Sequence, residues 1–226
     1  PRWLVALLPW TPVEAGVDRL NRVVDPEGEV RTEVECSPCN NALLDLGEDT
    51  IMSLTDETKA ARLCNQRWPG VRDAVLRTHP WNCCAAQAVL AAASEAPSWR
   101  WSAAYPLPVD CLRVLAVAGP DGRDVEAWEV AGRSVLCDAA APLLLSYVRR
   151  EADPQRYDAL LCETLSARLS AVLAYPLSGS AALAQSCWQS YEKKLLEARG
   201  ADAREGTPPE QAPASWLVAK LGGAGR

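Results

Sequence analysis

Cysteine spacing marks the places in this chain where residue types could do chemistry. Cys36-Ser37-Pro38-Cys39 has the CxxC spacing of dithiol-exchange sites. It follows a segment that reads as strand and precedes one that reads as helix, the setting in which a helix N-terminus lowers a thiol pKa and supplies a thiolate. The same spacing could furnish half of a tetrahedral zinc site, but no second CxxC completes it. The strand and helix alternation of a thioredoxin-like sheet is also missing downstream, so the competing reading is a pair of core or surface thiols. Cys83 and Cys84 are neighbours, and side chains of neighbouring residues leave either kind of element on different sides, so this pair reads as a poor chelate.

His79 is the sole histidine, which excludes a metal centre built from several imidazoles and leaves one candidate for any nucleophile-base pair. Neither Cys83 nor Cys84 stands in a recognisable nucleophile pattern, and a His at a helix end before Pro80 reads as structural. No phosphate loop, dinucleotide fingerprint or paired-carboxylate signature is present. No residue is therefore assigned catalysis, cofactor binding or metal ligation, and the expectation is a protein that is not an enzyme. Arg149-Arg150, closing an apolar run, reads as a solvated strand end, with a subunit contact as the second reading.

The background composition narrows the partners. A net charge of −6 opposes a phosphate-gripping surface; it suits plain solubility and also a surface past which DNA slides without sticking. Nine cysteines, an odd number set in apolar contexts, make poor disulfide arithmetic and behave as small hydrophobes in a reducing compartment. The opening PRWLVALLPW is apolar but breaks at Pro9, short of the roughly 20 residues a bilayer helix needs. It also lacks the parts of a secretory signal; the expectation is a cytoplasmic product with no membrane partner. With 226 residues, 49% of them hydrophobic, the chain can bury a substantial core in one or two domains.

The elements that must position these residues follow from periodicity and breakers. A short strand is expected over Val30–Val34, then a short helix over Asn41–Leu46 with Gly47 as its left-handed stop. A second helix is expected from Thr55 or Asp56 through KAARLCNQR, with Ala60, Leu63, Cys64 and Trp68 as its apolar stripe. Pro69-Gly70 should interrupt it and open a following helix in which Val71, Val75 and Leu76 share a face. From His79 to Trp101 the signals conflict: AAQAVLAAASEA has helical composition, whereas PWNCC and PSWRW read as extended. CLRVLAV then reads as a strand, GPDG as a turn, VEAWEV and RSVLC as strands around Ala131-Gly132, and LLLSYVRR as the last strand of an antiparallel unit. Asp153-Pro154 should open a helix with Tyr157, Leu161, Leu165, Leu169 and Val172 inward, opposite Asp158, Glu163 and Arg168, broken by Pro176 and Gly179. A partner helix should carry Leu183, Cys187, Tyr191 and Leu195 on one face, giving an antiparallel hairpin. From Gly200 the chain reads as a polar, Pro-rich linker ending in the apolar Trp216, Leu217 and Val218.

The expected class is mainly α with a small β insertion (α+β), a helical bundle plus a short antiparallel β unit. Its parts are an N-terminal extension over 1–39, a helical part over 40–101, a β-rich insertion over 102–152, a helix hairpin over 153–200 and a flexible tail over 201–226.

Read in order, CNNALLDLGEDTIMSLTDETKAARLCNQRW, VRDAVLRTHPWN, YPLPVDCLRVLAV, WEVAGRSVLCD, LLLSYVRREADPQRYDALLCETLSARLSAVLAYPLSGS and YEKKLLEARGADARE are colinear from Asn40 to about Glu205. In that order they resemble the tail tubular protein A family, the head-to-tail adaptors (connectors) of podoviruses. Residues 1–35 have no counterpart in it, and Cys83 follows HPWN where an aromatic is common. The resemblance implies a structural virion protein at the head-tail interface, assembled in the host cytoplasm. It implies a homo-oligomeric ring of twelve copies joining the portal protein to the tail tube or nozzle protein, with double-stranded DNA passing through the lumen without specific binding during packaging and ejection. Trp216, Leu217 and Val218 are the portal-docking candidates. The alternatives are a cytosolic thiol redox or metal-binding protein using Cys36 and Cys39, and a head-completion protein of a long-tailed phage or gene-transfer agent.

Overall fold

The computed structural model describes the backbone of residues 16–17, 23–24 and 32–205, and side chains from residue 38 to residue 205. Among these residues are four α-helices and two three-stranded antiparallel sheets, an α+β arrangement, together with the two-residue pair β1 (Gly16–Val17) and β2 (Val23–Val24).

The central element is α3 (Ala159–Ser178). Its apolar composition would suffice to cross a bilayer, but Leu161, Leu165, Leu169 and Leu173 are fully buried against the other helices. Each such leucine withdrawn from water contributes roughly 1.5–3 kcal/mol. Asp158 caps the helix by accepting a hydrogen bond from the Leu160 amide at 2.9 Å. Gly179 ends it in the left-handed conformation (φ 69°), donating to the Tyr175 carbonyl at 2.8 Å. The expected start at Asp153-Pro154 is a separate 3-10 turn (Pro154–Arg156), because Asp158 offers a second cap four residues on. Pro176 lies inside the last turn of α3 and does not end it.

Helix α4 (Ala181–Glu205) returns along α3 as the expected hairpin partner. It runs through Gly200, where the linker was expected to begin, because Tyr191, Ala198 and Asp202 continue one buried stripe at helical spacing. Helices α1 (Thr32–Asp45) and α2 (Lys59–Thr78) pack on other faces of α3. Helix α1 is longer than the Asn41–Leu46 expected and absorbs the described part of the Val30–Val34 strand. Thr58 caps α2, accepting from the Ala61 amide at 3.1 Å. The expected break at Pro69-Gly70 does not occur: Pro69 sits within one continuous helix. Asn65, whose carbonyl loses its helical donor to the proline ring, is on the exposed side, where water can serve it.

The β unit holds a second core. One sheet has the order β3 (Ala85–Leu90), β8 (Leu143–Arg149), β5 (Cys111–Ala118); the other has β4 (Ala103–Pro106), β7 (Ser134–Cys137), β6 (Trp128–Ala131). Tyr105, Val135 and Cys137 of one sheet bury against Leu143, Leu145, Tyr147 and Val117 of the other. The strands expected at CLRVLAV, RSVLC and LLLSYVRR form as β5, β7 and β8, and the VEAWEV strand forms over its last part and Ala131 as β6. The hairpin between β6 and β7 turns on Gly132 and Arg133, with Gly132 at φ 59° and Ala131 paired to Ser134. AAQAVL, helical in composition, is β3, so the segment expected to be helical over 40–101 contains a strand.

Strand β5 joins the two cores. Its register against β8 shifts between Cys111 and Arg113 and again between Val114 and Ala116. These bulges convert strict alternation into a three-residue spacing: Cys111, Val114 and Val117 face the β core, whereas Leu112 and Leu115 pack on the helices.

Candidate functional site

The densest convergence of polar and nucleophilic side chains lies where α2 gives way to β3. Helix α2 ends at Thr78, His79 takes an extended conformation, and a 3-10 turn over Asn82–Cys84 leads into the strand. Trp81 is fully buried and its indole N–H donates to the Val75 carbonyl at 3.2 Å, satisfying an orphan acceptor of the helix end. The His79 ring stands edge-on to it, with centroids 4.8 Å apart.

The far end of α4 closes over this turn. His79 Nε2 is 3.0 Å from Asp202 Oδ2, the Asn82 amide donates to Asp202 Oδ1 at 2.9 Å, and Asn82 Nδ2 donates to the Asp202 carbonyl at 2.8 Å. The HPWN segment is thus pinned to α4, and His79 has the structural part expected of it. Asp202 was missed in the sequence, although its place on the stripe of Tyr191, Leu195 and Ala198 marks it as inward-facing.

The same turn aims both sulfurs of the neighbouring cysteines to one side: Cys83 Sγ and Cys84 Sγ are 3.7 Å apart. The expectation that they point apart is corrected, because a 3-10 turn is neither a strand nor an α-helix. The hydrogen bond from Cys84 draws the Cys83 thiol down to about 7; burial opposes the shift and the main chain of Asp158 adds to it. The same contact and burial push Cys84 up. Cys83 is half-buried and Cys84 fully buried.

The CxxC segment is arranged otherwise. It lies within α1, not at a strand-to-helix junction, and Cys39 is fully buried beside Ala42 and Leu43. Its partner is Cys64 of α2, whose thiol a hydrogen bond from Cys39 holds below its ordinary value against the effect of burial. The Cys36 side chain lies outside the described residues. The setting that would activate Cys36-Cys39 for exchange is absent there. No group of three or more His, Cys, Asp or Glu side chains that could hold a metal ion occurs among the described residues.

Arg149 and Arg150 are not a solvated edge. Arg150 Nε lies 2.8 Å from Asp73 Oδ2, tying the end of β8 to α2. Arg149 pairs with Glu151, a buried carboxylate that also draws Arg156 at 3.4 Å and accepts from the Asp153 amide at 3.1 Å. Trp216, Leu217 and Val218 lie outside the described residues.

No family model matches the chain. Among curated proteins, it is similar over 27 residues to a type 2A encapsulin shell protein of Mycobacterium leprae (strain TN), at 74% identity over 12% of this chain and 9% of that protein. Proteins of the same description from Mycolicibacterium paratuberculosis (strain ATCC BAA-968 / K-10) and Mycobacterium avium match at 70% identity over 27 residues. The chain spans about 9% of the length of these curated relatives.

Proposed function

We propose that the chain is a structural adaptor that assembles as a ring, joins a portal to a tail and lets double-stranded DNA pass through its centre. The observation that carries this reading is the colinear series HPWN, YPLPVDCLRVL, the β hairpin and the paired helices, in the order that the tail tubular protein A family follows. Two features support it. The α3–α4 hairpin is a stiff wall whose two ends are fastened by Asp158 and Asp202, as a ring subunit requires. The net charge of −6 favours passage of a polyanion over capture. A head-completion protein of a long-tailed particle would share the ring role, and particle morphology separates the two.

The 27-residue likeness to shell proteins favours a second reading, a place in or on a closed protein shell. Light scattering discriminates. Mass is measured for the chain alone and after mixing with the portal protein of the same particle. One adaptor bound per portal subunit supports the ring; persistent monomer with no portal association overturns it, and growth to very large closed particles from the chain alone favours the shell reading.

A further inference from the structure

Two sulfurs 3.7 Å apart on adjacent residues favour one chemistry over another by length alone. A disulfide needs sulfurs about 2.05 Å apart and Cα atoms usually about 4.4–6.8 Å apart. Neighbouring residues are held at about 3.8 Å by the trans peptide, so direct bonding would close the gap only by straining the turn. A single soft atom bonded to each sulfur at about 2.3 Å bridges the observed gap with an angle of about 107°, requiring no closure. Zinc in a structural site takes four ligands, and the described residues gather no third group for it. A centre satisfied by two protein sulfurs, carrying its third substituent with it, fits the pair.

We propose that Cys83 and Cys84 form a two-thiol chelate for a monosubstituted trivalent arsenical. The step is a condensation: two As–S bonds form, the As=O bond breaks, and the two thiol protons leave with that oxygen as water. Arsenic stays trivalent, so no oxidant or reductant is needed. Half-buried Cys83 is the point of entry, and fully buried Cys84 closes the chelate. The hydrogen bond from Cys84 and that from the main chain of Asp158, at the start of α3, favour the Cys83 thiolate near neutral pH, while burial and the Asp202 carboxylate work against it. The other sulfur pair, Cys39 with Cys64, is fully buried on both sides and is closed to a reagent while the chain is folded.

The test uses the full reduced chain and phenylarsine oxide under native conditions, with mass spectrometry of the intact protein and of its proteolytic peptides. One adduct is expected, mapped to the peptide carrying Cys83 and Cys84, removed by a dithiol and resistant to a monothiol. Cys83→Ala should weaken uptake about 100-fold through loss of the second sulfur, while Cys162→Ala should leave it intact. If Cys83→Ala does not fold, Cys83→Ser and the peptide map on the wild-type chain decide the matter. No adduct on the folded chain, an adduct mapping elsewhere, or undiminished uptake by the Cys83 variant overturns the proposal.

Discussion

His79 Nε2 and Asp202 Oδ2 stand 3.0 Å apart across 123 positions of sequence, and the same carboxylate holds the Asn82 amide at 2.9 Å. One buried acid therefore fixes the exit of α2 and the last turn of α4 together. Replacing it by alanine leaves a part-buried amide and an imidazole without their acceptor, a loss of about 1–3 kcal/mol. Asp202→Ala should lower the melting temperature by roughly 2–10 °C in a chain of this size. Asp202→Asn, which keeps one carbonyl acceptor, should lose less. Urea unfolding of the two variants side by side measures the difference; equal and negligible losses would show that α4 is held by its apolar stripe alone.

The thiol pair predicts a pH profile. Cys83 lies low, at about 7, chiefly through the hydrogen bond from Cys84, whereas burial pushes Cys111, Cys162 and Cys187 up. A lowered thiol is already mostly thiolate at pH 8, so its alkylation rate should rise through pH 7 and level off while the other three still climb. In Cys84→Ala the largest lowering cause is gone, and the midpoint should move upward. Iodoacetamide labelling followed peptide by peptide reads both effects. A native midpoint above about 8.5, the ordinary thiol value, would refute the assignment.

Arg168 makes a third case, because its expected place on the polar face is only partly where it lies. Its guanidinium carbon is 4.0 Å from the Trp188 ring centroid and 4.9 Å from that of Tyr191, so it stacks across the α3–α4 seam. Such contacts are worth about 0.5–2 kcal/mol according to how far water is excluded. Arg168→Gln and Trp188→Leu should each destabilise by about 1 kcal/mol, and the double variant by less than the sum. A double-mutant cycle with zero coupling would assign the rings a purely packing role.

The long hairpin was legible because Leu161, Leu165 and Leu169 repeat at helical spacing and Gly179 supplies a stop that only a left-handed residue can make. Strands β5, β7 and β8 were legible from β-branched and leucine-rich runs between turn residues. Strand β3 was not: its alanines favour helix, and only pairing with β8, Val89 opposite Leu144 and Leu90 opposite Leu143, makes it a strand. Pro69 and Gly70 misled in the opposite sense, since burial of Trp68, Val71 and Val75 on one face carries α2 through a residue that would end a helix lacking tertiary support. The site divided likewise. His79 was legible as a helix-ending structural residue, whereas its partner Asp202 sits beyond a glycine that suggested a linker. The CxxC spacing was legible as a motif, but spacing carries no information about burial, and Cys39 faces the core.

The last prediction concerns the segment after α4. Residues 207–214 are rich in proline and polar groups, and Trp216-Leu217-Val218 follow, a pattern suited to ordering on a partner and burying a few apolar side chains there. All four helices and both three-stranded sheets end at or before Glu205, so deleting residues 207–226 should leave the far-UV circular dichroism and melting temperature unchanged. On the adaptor reading it should abolish binding to the portal protein, and Trp216→Ala alone should weaken it about 30-fold or more, the loss typical of a buried aromatic anchor. Titration of the intact and shortened chains against the same portal separates the possibilities. Equal affinities would place the portal contact on the folded residues and remove Trp216, Leu217 and Val218 from it, whereas loss of binding with an unchanged melt would make the tail the docking element.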